Sequence, residues 1–147
     1  MKKLFSAIVL CFVCALALVG CNAPKDFKPK ESDFEVSVAL DQTEISAGDT
    51  LRFTLRFQNN SGYTLKDVTH GEVFLRYSLS NAERDFSNAY TNEAIVESLT
   101  KKEISRNEER DTSGIPAGKY ELKGYAEFAY NGENYKISST VYEITIV

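Results

Sequence analysis

The residues able to do covalent or acid–base chemistry are few and widely spaced. Of three cysteines in 147 residues, Cys11 and Cys14 lie inside an apolar run, and Cys21 closes the sequence Leu18-Val19-Gly20-Cys21. A thiolate is a good nucleophile, and the small Gly20 leaves the backbone open to a processing enzyme. His70 is the sole histidine. That excludes a His-based metal cluster, and zinc of the Cys/His type would need thiols that the chain beyond Cys21 lacks. A Ser-His-Asp arrangement could draw on His70 with Ser61 or Ser78 and Asp67, but neither serine sits in a nucleophile-elbow pattern. Beside Gly71, His70 reads as a turn residue. Glu108, Glu109 and Asp111 could bind calcium or exchange protons, yet Arg106 and Arg110 lie among them, so the group reads as a solvated charged strand. No catalytic residue, metal site or cofactor is expected, and the chain reads as non-enzymatic.

The elements around Cys21 decide where its thiol acts. Lys2 and Lys3 give a basic start, and residues 4–19 are almost wholly apolar and end in small residues, the composition of a secretory signal. The run is shorter than the roughly 20 apolar residues that span a bilayer. With Leu18-Val19-Gly20-Cys21 at its end, the segment resembles the lipobox of bacterial lipoproteins. The resemblance implies cleavage between Gly20 and Cys21, a diacylglyceryl group on the Cys21 sulfur and acylation of the new amino terminus. It thereby implies a membrane partner reached through lipidated Cys21, on the extracytoplasmic face of the cell membrane. Each buried methylene adds about 0.8 kcal/mol, so two or more acyl chains anchor stably.

Removal of residues 1–20 leaves 127 residues with Cys21 as their only cysteine, so no intrachain disulfide is possible and the domain must rely on its apolar core. The chain from Cys21 carries 15 basic against 21 acidic residues. An acidic balance of this kind makes nucleic acid a poor partner. Residues 22–33 hold two prolines, alternating charges and one aromatic, which reads as a flexible tether. Fully extended, its twelve residues would reach about 40 Å. The expected organisation is a signal at 1–20, a lipidated cysteine and tether at 21–33, and one domain at 34–147.

Within 34–147 apolar residues alternate with polar ones, the period of strands with one buried face. Val36, Val38 and Leu40 form one row. Leu51, Phe53, Leu55 and Phe57 form the clearest, with Leu55 expected at the centre of the core. Gly48 and Asn59-Asn60-Ser61-Gly62 mark turns. Val73, Leu75, Tyr77 and Leu79 repeat the alternation, residues 80–91 read as a long loop anchored by Phe86 and Tyr90, and 94–99 suits a strand or a short helix. Residues 102–111 read as a charged edge strand. Asn131-Gly132 is a hairpin signal, and the phase change between Tyr135, Ile137 and Tyr142, Ile144, Ile146 predicts a bulge near 138–140.

About seven short strands without a strong helix predict an all-β, antiparallel sandwich, and two segments give it an immunoglobulin-like resemblance. One is A-G-D-T-L-R-F-T-L-R-F-Q-N-N at 47–60. The other is A-G-K-Y-E-L at 117–122, where the resemblance makes Tyr120 a tyrosine-corner residue and puts Leu122 where a core cysteine often stands. The layout over 45–130 is also similar to the bacillus intracellular proteinase inhibitor domain, which implies an inhibitory loop at 80–91. Tyr63, Tyr90, Tyr125, Tyr130 and Tyr135 fall near turns or opposite the core row, where tyrosine suits protein or glycan contact. The leading expectation is a lipid-anchored binding or assembly module with a protein or cell-envelope partner. A surface proteinase inhibitor and an enzyme with an unrecognised site are the alternatives.

Overall fold

The computed structural model describes residues 21–91, 93–100 and 103–147; the expected signal, with Gly20, lies outside the described residues. Nine strands follow a short 3-10 turn at Glu31–Asp33: β1 (Phe34–Leu40), β2 (Glu44–Ile45), β3 (Thr50–Asn59), β4 (Leu65–Ser80), β5 (Ala94–Leu99), β6 (Ile104–Asp111), β7 (Gly118–Tyr130), β8 (Glu133–Ser138) and β9 (Tyr142–Ile146). One sheet has the order β1-β3-β6. The other runs β2-β9-β7-β4-β5, with β8 pairing β7 beyond β9. Among these described strands every pairing is antiparallel except the short parallel one between β2 and β9.

In chain order β1, β3 and β6 occupy the places of immunoglobulin strands A, B and E, while β4, β7 and the β8–β9 segment take C, F and G, with β5 as C′. The fold is an antiparallel immunoglobulin-like β-sandwich. Its pattern comes from strict alternation in the two central strands. All of Leu51, Phe53, Leu55 and Phe57 on β3 are buried, as are Tyr120, Leu122, Ala126 and Phe128 on β7. At Gly124 the facing sheet leaves little room for a side chain, since an added Cβ would stand 2.9 Å from Leu55 Cδ2 and 3.0 Å from Val38 Cγ2. Aromatic rings fill the space near Phe34, with Phe128 edge-on at 5.2 Å and Phe57 stacked at 5.8 Å between ring centroids.

Two irregularities shape the larger sheet. Between Tyr125↔Ser138 and Leu122↔Tyr142 the β8–β9 segment carries one extra residue, a bulge closed by Ser139 N–H donating to the Gly124 carbonyl at 2.8 Å. It lies where the phase change predicts. On β4 the register against β7 shifts between His70 and Leu75, so residues 71–74 swell out of the ladder. Gly71 permits this, because a Cβ there would collide with the Arg76 guanidinium. The same swelling overturns the reading of His70 as a turn residue. It lies inside β4 and is buried, as the local register turns its ring toward Phe74. Asn131-Gly132 takes positive φ at both residues, 48° and 78°, as a tight hairpin requires.

Residues 22–33 differ from the expected free tether. They lie along the sandwich because the domain supplies partners for their backbone. Thr64 N–H donates to the Cys21 carbonyl and Ala23 N–H to the Thr64 carbonyl, both at 3.0 Å. Asn131 Nδ2 donates to the carbonyls of Lys25 and Phe27, and the Tyr135 hydroxyl to that of Pro29, all at 3.2 Å. Phe27 packs on Tyr63 at 4.7 Å between centroids.

Candidate functional site

Residues 81–91 are bonded to both β4 and β6. They run back beside the end of β4 without forming a regular strand. Phe86 N–H donates to the Leu79 carbonyl at 2.7 Å, Leu79 N–H to Ser87 Oγ at 3.2 Å, and Tyr77 N–H to the Tyr90 hydroxyl at 3.3 Å. Phe86 stands edge-on to Tyr120 and Tyr90 edge-on to Tyr77, with the Arg76 guanidinium 5.2 Å from the Tyr90 ring. Phe86 and Tyr90 thus anchor this loop.

Beneath it lies a polar seam built on alternation within β6. Arg106, Glu108 and Arg110 point inward, whereas Ser105, Asn107, Glu109 and Asp111 face solvent. The solvated-strand reading therefore fails for one face. Glu108 is 7% exposed, ion-paired with the Arg106 guanidinium. Glu108 Oε1 has no hydrogen-bond partner among the described residues. Burial pushes the Glu108 carboxyl above the usual carboxylate range, and Arg106 opposes this. Arg106 also donates to the Leu75 carbonyl at 3.3 Å, and Arg110 Nη1 to Asn88 Oδ1 at 3.0 Å. Burial pushes the Tyr77 phenol up to about 12. Its hydroxyl and Arg110 Nε meet no hydrogen-bond partner among the described residues. Chemically the seam is a clamp that ties the loop to both sheets. The signal for it was present in the sequence as charged residues at every second position of 106–110, on a strand whose opposite face could be solvated.

The clamped loop ends in a turn held by Asn81, whose Oδ1 accepts from Glu83 N–H at 3.0 Å and from Arg84 N–H at 2.9 Å. This tip faces the turn before β7. Between them is a groove of about 460 Å³ walled by Arg84, Phe86, Pro116 and Tyr120. A second hollow of about 320 Å³ adjoins it at Lys119, Glu121 and Glu143. Lys119 Nζ pairs with Glu143 at 2.8 Å across the sheet surface. The arrangement offers apolar contact flanked by charges of both signs.

The other sequence-derived residues have definite places. Tyr120 is buried and its hydroxyl donates to the Pro116 carbonyl at 2.7 Å, the geometry of a tyrosine corner. Leu55 and Leu122 are fully buried on facing sheets. His70 Nε2 lies 2.9 Å from Glu97 Oε1 and its Nδ1 2.6 Å from the Gly71 carbonyl, so both ring nitrogens face these oxygens and not a serine. Ser61 belongs to the β3–β4 turn, where its Oγ donates to the Tyr63 carbonyl. Among the described residues no group of three His, Cys, Asp or Glu side chains is placed to hold a metal. Tyr130 and Tyr135 are buried and so are unavailable as contact residues, Tyr125 lies under Lys136, and Tyr63 is half-covered by Phe27. Cys21 is exposed at the start of the described chain. No described helix is long and apolar enough to cross a membrane.

No family model matches the chain, and no curated protein sequence matches it. Among solved structures it is similar to the CARDB domain of PF1109 from Pyrococcus furiosus, in a crystal structure with di-metal ions, at 11% identity and a TM-score of 0.48, covering 86% of this chain and 99% of that one. It is similar to Spo0M, a sporulation control protein from Bacillus subtilis, at 12% identity and 0.46, covering 78% of this chain and 49% of that one. A beta-glucosidase from Listeria innocua matches at 14% identity and 0.46, over 77% of this chain and 16% of the enzyme.

Proposed function

We propose that this protein is a lipid-anchored, non-catalytic module on the extracytoplasmic face of the cell membrane, where it binds or assembles with a protein or another component of the envelope. The observation that carries the reading is Leu18-Val19-Gly20-Cys21 at the end of a short apolar run, together with the exposure of Cys21. Supporting the non-catalytic part, His70 is committed to Gly71 and Glu97. An inhibitor of proteases needs a loop that enters a cleft. Here residues 85–91 are bonded along β4, and the exposed tip at 82–84 is what remains. A binding module is therefore the better reading.

The test is metabolic labelling with radioactive fatty acid. The native chain labels and sits in the membrane fraction, whereas Cys21→Ser accumulates as an unprocessed, unlabelled precursor. Equal labelling of the two would remove the anchor from the proposal. Crosslinking in intact cells followed by recovery of the membrane protein then identifies the partner.

A further inference from the structure

The contacts of residues 21–33 bear on how an anchored domain would stand. Cys21 and Ala23 are bonded to Thr64, Asn22 bridges to the same residue, and Phe27 covers Tyr63, all beside the β3–β4 turn. Farther along, Asn131 at the β7–β8 turn holds Lys25 and Phe27, the Tyr135 hydroxyl holds Pro29, and Lys28 pairs with Glu133 at 2.6 Å. Asp33 closes the 3-10 turn by accepting from Lys30 N–H, and its own carbonyl accepts from Asn60 N–H at 2.7 Å. Contacts therefore recur from one end of the segment to the other. They all fall at one pole of the sandwich, where β3 ends and β4 and β8 begin. The opposite pole carries the 81–84 tip and the turn before β7, about 30 Å away from the ten residues of β3 at about 3.3 Å each.

We propose that residues 21–33 are a docked strap that holds lipidated Cys21 against the β3–β4 turn, so that the sandwich stands on the lipid surface by this pole and presents the opposite groove outward. This rests on the lipid-anchor reading above. A free tether would instead let the domain tumble up to about 40 Å from the headgroups. The docked arrangement fixes both height and orientation. The half-buried aromatic pair Phe27 and Tyr63 lies at the same pole, where rings of this kind suit a membrane interface.

The lipidated protein, reconstituted in vesicles of phosphatidylethanolamine and phosphatidylglycerol with a nitroxide on a fraction of the headgroups, tests this directly. Acylation consumes the single mature thiol, so an introduced cysteine is the only site for a dye. Asn60→Cys reports the strap pole and Ser113→Cys the opposite turn, both at exposed positions. The expected result is severalfold stronger quenching at position 60, and loss of that contrast when Phe27→Ser and Tyr135→Phe release the strap. A chain that carries fatty acid yet shows equal quenching at both positions overturns the docked strap alone. A chain that carries no fatty acid overturns the anchor and with it this orientation.

Discussion

At the level of single residues, two tyrosines with different surroundings make opposite demands on stability. Tyr120 fills a corner and satisfies the Pro116 carbonyl. Tyr120→Phe keeps the ring but loses a bond worth about 0.5–1.5 kcal/mol, with about 1–3 kcal/mol where the abandoned carbonyl stays dry. Tyr120→Ala also removes the surface on which Phe86 rests and should cost about 3–5 kcal/mol. Tyr125→Phe, on the outer face, should change little; chemical denaturation of the three variants measures the order. Tyr77 is the contrary case, since its buried hydroxyl lacks a partner among the described residues. Tyr77→Phe should be neutral or stabilising at pH 7. The pH dependence has a definite sign. The unfolded phenol ionises near 10 and the folded one at about 12, so between these values the native state holds more protons and stability falls as pH rises. Thermal melts across this window should show a shallower decline for Tyr77→Phe than for the wild type. Parallel curves would mean that Tyr77 ionises as freely in the fold as out of it.

At the level of elements, legibility followed how many faces of a strand touch the core. β3 and β7 each bury one complete row, so period-two alternation identified both, and Tyr120 and Leu55 with them. Leu55→Ala should therefore cost about 2–5 kcal/mol, and Thr54→Ala much less, since Thr54 Oγ1 only reaches Asn107 on the outer surface. Coincident melts of these two variants would put the strand in the opposite phase. β6 was harder to read, because its inward row is Arg106, Glu108 and Arg110, residues that hydropathy assigns to solvent. Glu108 is buried and the two arginines partly so beside the loop at 81–91, whose return along β4 no local pattern encodes. His70 departs from its expected place in a turn for a related reason. Gly71 looks like a turn signal but lies in a bulge inside a long strand, where a side chain would have to displace the Arg76 guanidinium. β5 could be read either way from its residues, since Ile95 and Val96 remain exposed at 36% and 62% and give no buried row to set a period.

At the level of the whole molecule, residues 22–33 show the limit of composition as a guide. Two prolines and alternating charges cannot form a core alone, which argues against independent folding. They do not forbid docking, because prolines keep the backbone extended and the domain offers Thr64, Asn131 and Tyr135 as ready partners. The consequence is measurable without any lipid. A soluble chain beginning at Cys21 should be more stable than one beginning at Phe34 by about 1 kcal/mol, roughly half the worth of fully burying a large apolar side chain, because Phe27 is only partly buried. Hydrogen exchange places the difference. The Thr64 amide, which donates to Cys21, should lose protection in the shorter chain, while the Thr112 amide, bonded to Asp49 at the other pole, should keep it. Equal exchange at Thr64 in both chains, together with equal melts, would return residues 22–33 to the status of a free tether.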